Sequence, residues 1–333
     1  MHSVNQELVS INIIFGGACN LKCPYCLQSP EMNNKKGDPK FFLENFKKFV
    51  EKKKIKSVKS IHYWGGEPLL YWKNIRDVYL GMTEIFPDCK IHRMTTNGTL
   101  VDDAYVDFCN EHKNIVNVVS LHDSNMSDEQ WTRLGRLNRL CLSGLVHHLK
   151  RSPYDYMGIW ERIYGLTGRE LPIGLYQTHA TDGCASEYWL TKEDVDFYFE
   201  EMLGAVLPMA NMGHKFSQKL IANIKFECDG RKTSKIPTKC FNDRILSIDL
   251  FGNQFYCHHN NIDSNRVQNI FNGTIYLSKK INQFCSDECD SCEAFTICKG
   301  GCFMSNKHDV ECYWEKAKWN FYKTLEERLK NAI

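Results

Sequence analysis

The sequence predicts an α/β fold, an open, partial (β/α)6 TIM barrel followed by a cysteine-rich extension, and three observations carry the prediction. Short β-rich runs alternate with helical stretches from Leu8 to about Thr178, the pattern of parallel strands joined by helical crossovers. Beyond about Asn211 the alternation stops. Cysteine then becomes dense, with six of the 16 cysteines lying between Cys285 and Cys312.

The expected strands run Leu8–Phe15, Ser60–Trp64, Lys90–Thr96, Val116–Leu121, Leu145–Leu149 and Pro172–Gln177. Between the first two, Phe42, Phe46, Phe49 and Val50 share one helical face; after the second, Ile75, Val78, Tyr79 and Met82 do the same. Each face suits a helix laid on a sheet. Thr191, with Asp194 three residues on, has the form of a helix N-cap, starting a helix to about Leu207. This gives a barrel over residues 1–210, a helical and linker segment over 211–239, and a cysteine-rich domain with a C-terminal helix over 240–333. That last helix carries Trp314, Ala317, Phe321, Leu325 and Leu329 on one face.

Composition bounds the function. Lysine and arginine number 42 against 40 aspartates and glutamates, so charge selects neither nucleic acid nor an anionic membrane as partner. No apolar run approaches the roughly 18 residues of a membrane span, and the opening residues are too polar for a signal peptide, so a cytoplasmic location is expected. In a reducing compartment, 16 cysteines point to metal ligation or redox chemistry rather than disulfides. Five are scattered (Cys89, Cys109, Cys141, Cys184, Cys228); the other eleven are grouped.

The first group, Cys19-Asn-Leu-Lys-Cys23-Pro-Tyr-Cys26, follows the first strand directly, where barrel folds place their chemistry. Three thiolates so closely spaced can ligate three irons of a [4Fe-4S] cube and leave the fourth iron open to a ligand. A zinc or purely structural site is the alternative, although zinc sites usually show paired cysteines. With Tyr25 before its last cysteine, the segment resembles the CxxxCxxC signature of the radical S-adenosylmethionine (SAM) superfamily. The resemblance implies that Cys19, Cys23 and Cys26 hold a [4Fe-4S] cluster whose open iron chelates SAM. One electron then splits SAM into methionine and a 5'-deoxyadenosyl radical, which takes a hydrogen atom from the substrate.

Further matches follow the next strands. Gly65-Gly66-Glu67-Pro68 resembles the family's GGE motif: the glycines admit a ligand close to the backbone, and Glu67 is placed to accept a bond from the methionyl ammonium. Thr96 and Asn97 at the end of the third strand, and Ser120 at the end of the fourth, resemble family segments beside the cofactor. Arg133 is nearest to the family's carboxylate-binding arginine. The usual Ser-Ile/Leu-Asp-Gly is interrupted here by His122, with Ser124 in the glycine position, so an ordinary solvent-facing helix arginine is the other reading of Arg133.

The C-terminal cysteines keep a regular spacing: Cys240, eleven residues, Gly252, four residues and Cys257, then Cys289-x2-Cys292-x5-Cys298-x3-Cys302, then Cys312. This resembles the SPASM extension of enzymes that mature peptides and proteins. By that resemblance Cys289, Cys292, Cys298 and Cys312 hold one auxiliary [4Fe-4S] cluster and Cys240, Cys257 and Cys302 another. The second set lacks a fourth thiolate. Cys285, Cys228 and His258 are candidates for it, and an iron left open to substrate is the alternative.

In SPASM sulfatase maturases an aspartate that acts as base follows the cysteine after the glycine; here His258 and His259 follow Cys257. His258 is thus a candidate base or a cluster-adjacent structural residue. Cys184, in the loop after the sixth strand, is a candidate hydrogen-atom donor to a substrate radical or a buried loop cysteine. The resemblance favours a peptide or protein side chain as substrate, with a small molecule or modified nucleobase as the alternative, and flavodoxin or ferredoxin as reductant. The few residues before the first strand are too short for a winged-helix peptide-recognition domain. An iron-sulfur electron carrier is the non-catalytic alternative, against which the open-iron triplet and Glu67 speak.

Overall fold

A computed structural model describes residues 6–28, 34–122, 126–232, 243–259, 266–276, 287–289, 291–302 and 305–330. Cys240 and Cys285 lie outside the described residues. In chain order the elements are β1 (Glu7–Ile14), α1 (Pro39–Lys53), β2 (Ser57–Trp64), α2 (Trp72–Ile85), β3 (Ile91–Thr96), α3 (Asp103–Glu111), β4 (Ile115–Leu121), α4 (Asp128–Gly135), β5 (Leu140–Val146), α5 (Met157–Thr167), β6 (Ile173–Gln177), α6 (Lys192–Glu201), α7 (Leu207–Asn211), α8 (Lys215–Lys232), β7 (Ile245–Asp249), β8 (Asn253–Phe255), β9 (Arg266–Asn269), α9 (Phe295–Cys298) and α10 (His308–Lys330). Among these residues no helix is long and apolar enough to cross a membrane.

The chain divides into two compact units, the first made of Met1–Ser120, Arg136–Leu140 and Cys240–Lys280. Its sheet runs in the order β4, β3, β2, β1, β7, β8, β9. The strands from β4 to β7 are parallel, and β8 and β9 continue antiparallel. One face is covered by helices. Asp38 caps α1 by accepting Lys40 N–H, and Phe42, Phe46, Phe49 and Val50 are buried beneath it, as are Ile75, Val78, Tyr79 and Met82 of α2. At about 1.5–3 kcal/mol for each large apolar side chain removed from water, this face holds the helices in place. The opposite face is polar in part: Asn12 pairs in register with His62 on one side and Ser247 on the other, and His62 with Arg93. Asn12 Nδ2 donates to Ser247 Oγ at 3.0 Å.

The second unit comprises Leu121–Gly135, Cys141–Lys239 and Ile281–Ile333. Here β5 and β6 pair in parallel, from Leu142 opposite Ile173 to Val146 opposite Gln177. Trp314 of α10 packs its ring against Tyr198 and Phe199 of α6. The cap of α6 is a full capping box between Thr191 and Asp194, and after Glu201 the chain passes through a π-helical turn, Met202–Val206, into α7.

Two elements differ from the sequence expectation. The fifth strand begins at Leu140 rather than Leu145, because Leu140, Leu142, Gly144 and Val146 alternate inward past a weakly β-forming Ser-Gly pair. A further parallel strand, β7, pairs with β1 although it lies far along the chain, and so residues 240–280 belong to the same compact unit as the first cysteine loop.

Candidate active site

The loop after β1 is held by the loop after β2. Gly66 N–H donates to Gly16 O at 2.9 Å and Glu67 N–H to Ala18 O at 2.8 Å. Gln28 Nε2 closes the loop from its far side by donating to Gly65 O at 2.6 Å. The approach requires glycine: a Cβ on Gly66 would lie 2.3 Å from the carbonyl oxygens of both Gly17 and Ala18. Gly16 turns at φ +150°, against Tyr71. Such a cradle, with backbone at van der Waals distance and three cysteines on one short turn, fits the cluster and cofactor that the motif implies.

Cys19 is exposed and Cys23 and Cys26 are half-buried, while the Tyr25 ring is buried beneath them. Cys19 Sγ accepts Leu21 N–H at 3.4 Å and Asn97 Nδ2 at 4.0 Å. Burial raises the pKa of the Cys26 thiol, and the neighbouring Cys19 adds to the rise. The metal-free thiols are therefore held protonated, and a cluster that binds them as thiolates displaces protons.

Glu67 is 1% exposed. Its Oε1 accepts Leu69 N–H at 3.0 Å and Thr96 Oγ1–H at 2.7 Å, and its Oε2 accepts Asn97 N–H at 2.7 Å. One carboxylate thus caps the turn Pro68–Tyr71 and ties the end of β3 to it. Burial raises its pKa, against these bonds. Asn97 in turn donates to Asn20 Oδ1 at 2.9 Å, inside the cysteine loop. Gly65, Gly66, Glu67, Pro68, Thr96 and Asn97 are therefore brought together with Cys19, and Ser120, next to last in β4, lies in the same unit.

Arg133 lies in the second unit, on α4, paired with Glu129 at 2.8 Å. Cys184, also in the second unit, is 4% exposed, with its Sγ 3.6 Å from Ala185 O. Cys289, Cys292, Cys298 and Cys302 are half-buried there, and Cys312 is exposed. The Cys312 thiol is pushed up by burial, and Cys292 and Cys289 are near enough to add to the effect, so these three gather. Among the described residues no three His, Cys, Asp or Glu side chains converge on a single-ion site.

Cys257 follows β8 in the first unit and is buried. The imidazoles after it pack on Trp64, the residue before Gly65: ring centroids lie 4.4 Å apart for His258, which is tilted, and 4.7 Å for His259, which is edge-on. Burial, then His259 and His62, holds the His258 pKa well below its ordinary value.

Residues 13–137 match the family model described as the radical SAM superfamily. This chain carries a radical SAM domain. It is 22% identical, over 97% of its length and 74% of the relative's, to the radical SAM cyclopropyl synthase TigE of Paramaledivibacter caminithermalis. Its fold is similar to native anSMEcpe with bound AdoMet, at TM-score 0.69 and 17% identity, covering 97% of this chain and 99% of the other. It is also similar to Streptococcus suis SuiB bound to precursor peptide SuiA, at TM-score 0.60 and 15% identity, over 90% and 73%. The radical SAM family implies a [4Fe-4S] cluster and SAM. Sequence reasoning on this radical SAM enzyme missed Tyr71, Gln28 and Asn20. Asn20 occupies a variable position of the cysteine motif, Tyr71 and Gln28 belong to none, and only Pro68 after Glu67, a turn-starting pair, points to the turn that Tyr71 ends.

Proposed function

We propose that this radical SAM enzyme modifies a side chain of a peptide or protein, starting with removal of a hydrogen atom. The observation that carries the reading is the two-loop clamp, in which Gly66 and Glu67 bind the backbone of Gly16 and Ala18 beside Cys19. The [4Fe-4S] cluster supplies the electron that splits SAM and so generates the 5'-deoxyadenosyl radical. Cys19, Cys23 and Cys26 would hold the cluster, and Gly65 to Pro68, Thr96, Asn97 and Ser120 would line the cofactor. Glu67 keeps β3 and the turn after β2 in register.

Similarity to SuiB, whose structure holds the precursor peptide SuiA, supports a peptide substrate. The cysteine spacing supports a SPASM extension with two auxiliary clusters, and the gathering of Cys289, Cys292 and Cys312 is consistent with one of them. Cys298 completes that set; Cys240, Cys257 and Cys302 form the other, with Cys285 or an open iron in its last place. His258, beside Cys257 where the sulfatase maturases have their aspartate, is the proposed base. Cys184 is the proposed hydrogen donor, and flavodoxin or ferredoxin the proposed reductant.

The test is anaerobic: reconstituted protein with dithionite and SAM should release 5'-deoxyadenosine, and a deuterated substrate peptide should pass deuterium into it. A deuterated peptide that is modified without labelling 5'-deoxyadenosine would refute hydrogen abstraction from that position.

A further inference from the structure

The hydroxyl of Tyr71 accepts the backbone N–H of Ala18 at 3.0 Å. Tyr71 is 6% exposed and ends the turn that Glu67 caps. A Cβ on Gly16 would fall 2.4 Å from its oxygen, and one on Gly65 would fall 3.5 Å from its ring. One phenol therefore supports both segments of the clamp, the loop after β1 and the loop after β2.

Ring and hydroxyl do different work. The ring fills the space that two glycines leave, which phenylalanine would also do. The oxygen fixes the peptide that leads into Cys19, and Cys19 Sγ is itself the acceptor of Leu21 N–H and Asn97 Nδ2. Hydrogen bonds to ligand sulfur stabilise negative charge there and are among the levers that set an iron-sulfur reduction potential. A peptide freed at Ala18 lets Cys19 drift from both donors, leaving the half-buried Ala18 N–H without its acceptor as well. Burial and, less strongly, a negative charge on Cys19 raise the Tyr71 pKa, so the hydroxyl stays neutral beside the thiolate.

We propose that Tyr71 is a positioning residue for the radical-generating cluster: its hydroxyl holds the Ala18–Cys19 peptide and thereby sets the hydrogen bonding, and the reduction potential, at Cys19. The inference rests on the radical SAM domain and is independent of the peptide substrate and the auxiliary clusters.

The experiment uses the full chain, reconstituted anaerobically, with SAM as the probe. The electron paramagnetic resonance signal that changes on SAM addition identifies the cluster concerned. Tyr71→Phe should keep the wild-type iron content and leave the apparent KM for SAM within about twofold. The midpoint potential of the SAM-responsive signal should move to more negative values. Dithionite-driven formation of 5'-deoxyadenosine should slow about tenfold, the low end for loss of an outer-shell partner of a metal site. Tyr71→Leu, which removes the ring, should lose iron. An unchanged potential and signal in Tyr71→Phe at full iron content would reduce the residue to packing and overturn the proposal. Iron loss in Tyr71→Phe as large as in Tyr71→Leu would overturn it too, since the hydroxyl would then hold the cluster rather than tune it. A wild-type protein with no SAM-responsive signal would overturn it together with the cluster assignment.

Discussion

The Glu67 carboxylate accepts the backbone N–H of Asn97 at 2.7 Å, joining the turn after β2 to the end of β3 inside the cysteine loop's support. Because that carboxylate is buried with a raised pKa, the fold holds a charge it would hold more cheaply if protonated. The folded state binds the proton more tightly than the unfolded chain does. Stability contributed by this group is therefore largest below the ordinary carboxylate value and falls as pH rises through the raised one. Urea titrations of the metal-free protein should show this fall in the wild type and a flatter profile in Glu67→Gln. The variant should also lose about 1–3 kcal/mol at low pH, where only its altered hydrogen bonding counts. Identical pH profiles would show that Glu67 does not titrate with folding.

Gly66→Ala should be far more damaging than its one methyl suggests. The new Cβ would stand 2.3 Å from two backbone oxygens that cannot swing aside, so the clamp must open. SAM cleavage should fall by about two orders of magnitude, as expected for a misplacement of about 1 Å in a catalytic assembly. Gly165→Ala in α5, where nothing lies within 4 Å, should instead raise stability by about 0.5–1 kcal/mol. Near-normal 5'-deoxyadenosine release from Gly66→Ala would contradict the clamp.

Asp194 is fully buried, and its carboxylate accepts Arg151 at 2.7 Å, His148 at 2.8 Å and the Thr191 backbone N–H at 2.9 Å. Burial alone would raise its pKa, but the bonds from Arg151, His148 and Thr191 outweigh it and the net shift is downward. Its contribution is thus present above the unfolded value and lost as pH falls through the depressed one. Asp194→Asn should cost about 3 kcal/mol near neutrality, the low end for a broken buried pair because both partners are half-exposed. Thermal melts that show no loss near pH 7 would argue against a stabilising role for this pair.

Iron counting separates the cluster sites. Reconstituted wild type should carry about twelve irons per chain, Cys312→Ser about eight with 5'-deoxyadenosine formation from SAM retained, and Cys19→Ser about eight with that activity abolished. A wild-type value of about four would leave the radical SAM cluster standing and remove the auxiliary ones.

Much was legible in the chain before any fold was known. The spacing of Cys19, Cys23 and Cys26 and the Gly65-Gly66-Glu67 segment are local patterns, and parallel strands with amphipathic crossovers leave periodic traces of their own. Five of the six expected strands accordingly begin within three residues of their observed starts. The partnership of β1 with β7 left no such trace, because strand pairing across more than two hundred residues depends on which apolar faces meet in three dimensions. Nor did spacing reveal that Trp64 packs against His258, or that Glu67 spends its oxygens on Leu69, Thr96 and Asn97.

The sequence alone determined the chemistry this radical SAM enzyme can carry, since three thiols on one short turn and a glycine pair after the next strand are covalent facts about the chain. Only the tertiary structure decided how those pieces hold each other. Gly66 reaches the Gly16 carbonyl, Glu67 the Ala18 carbonyl and Tyr71 the Ala18 amide because parallel pairing of β1 with β2, Ile14 beside Trp64, sets their following loops side by side. That alignment comes from burying both strands in one sheet, a long-range balance that no local motif encodes.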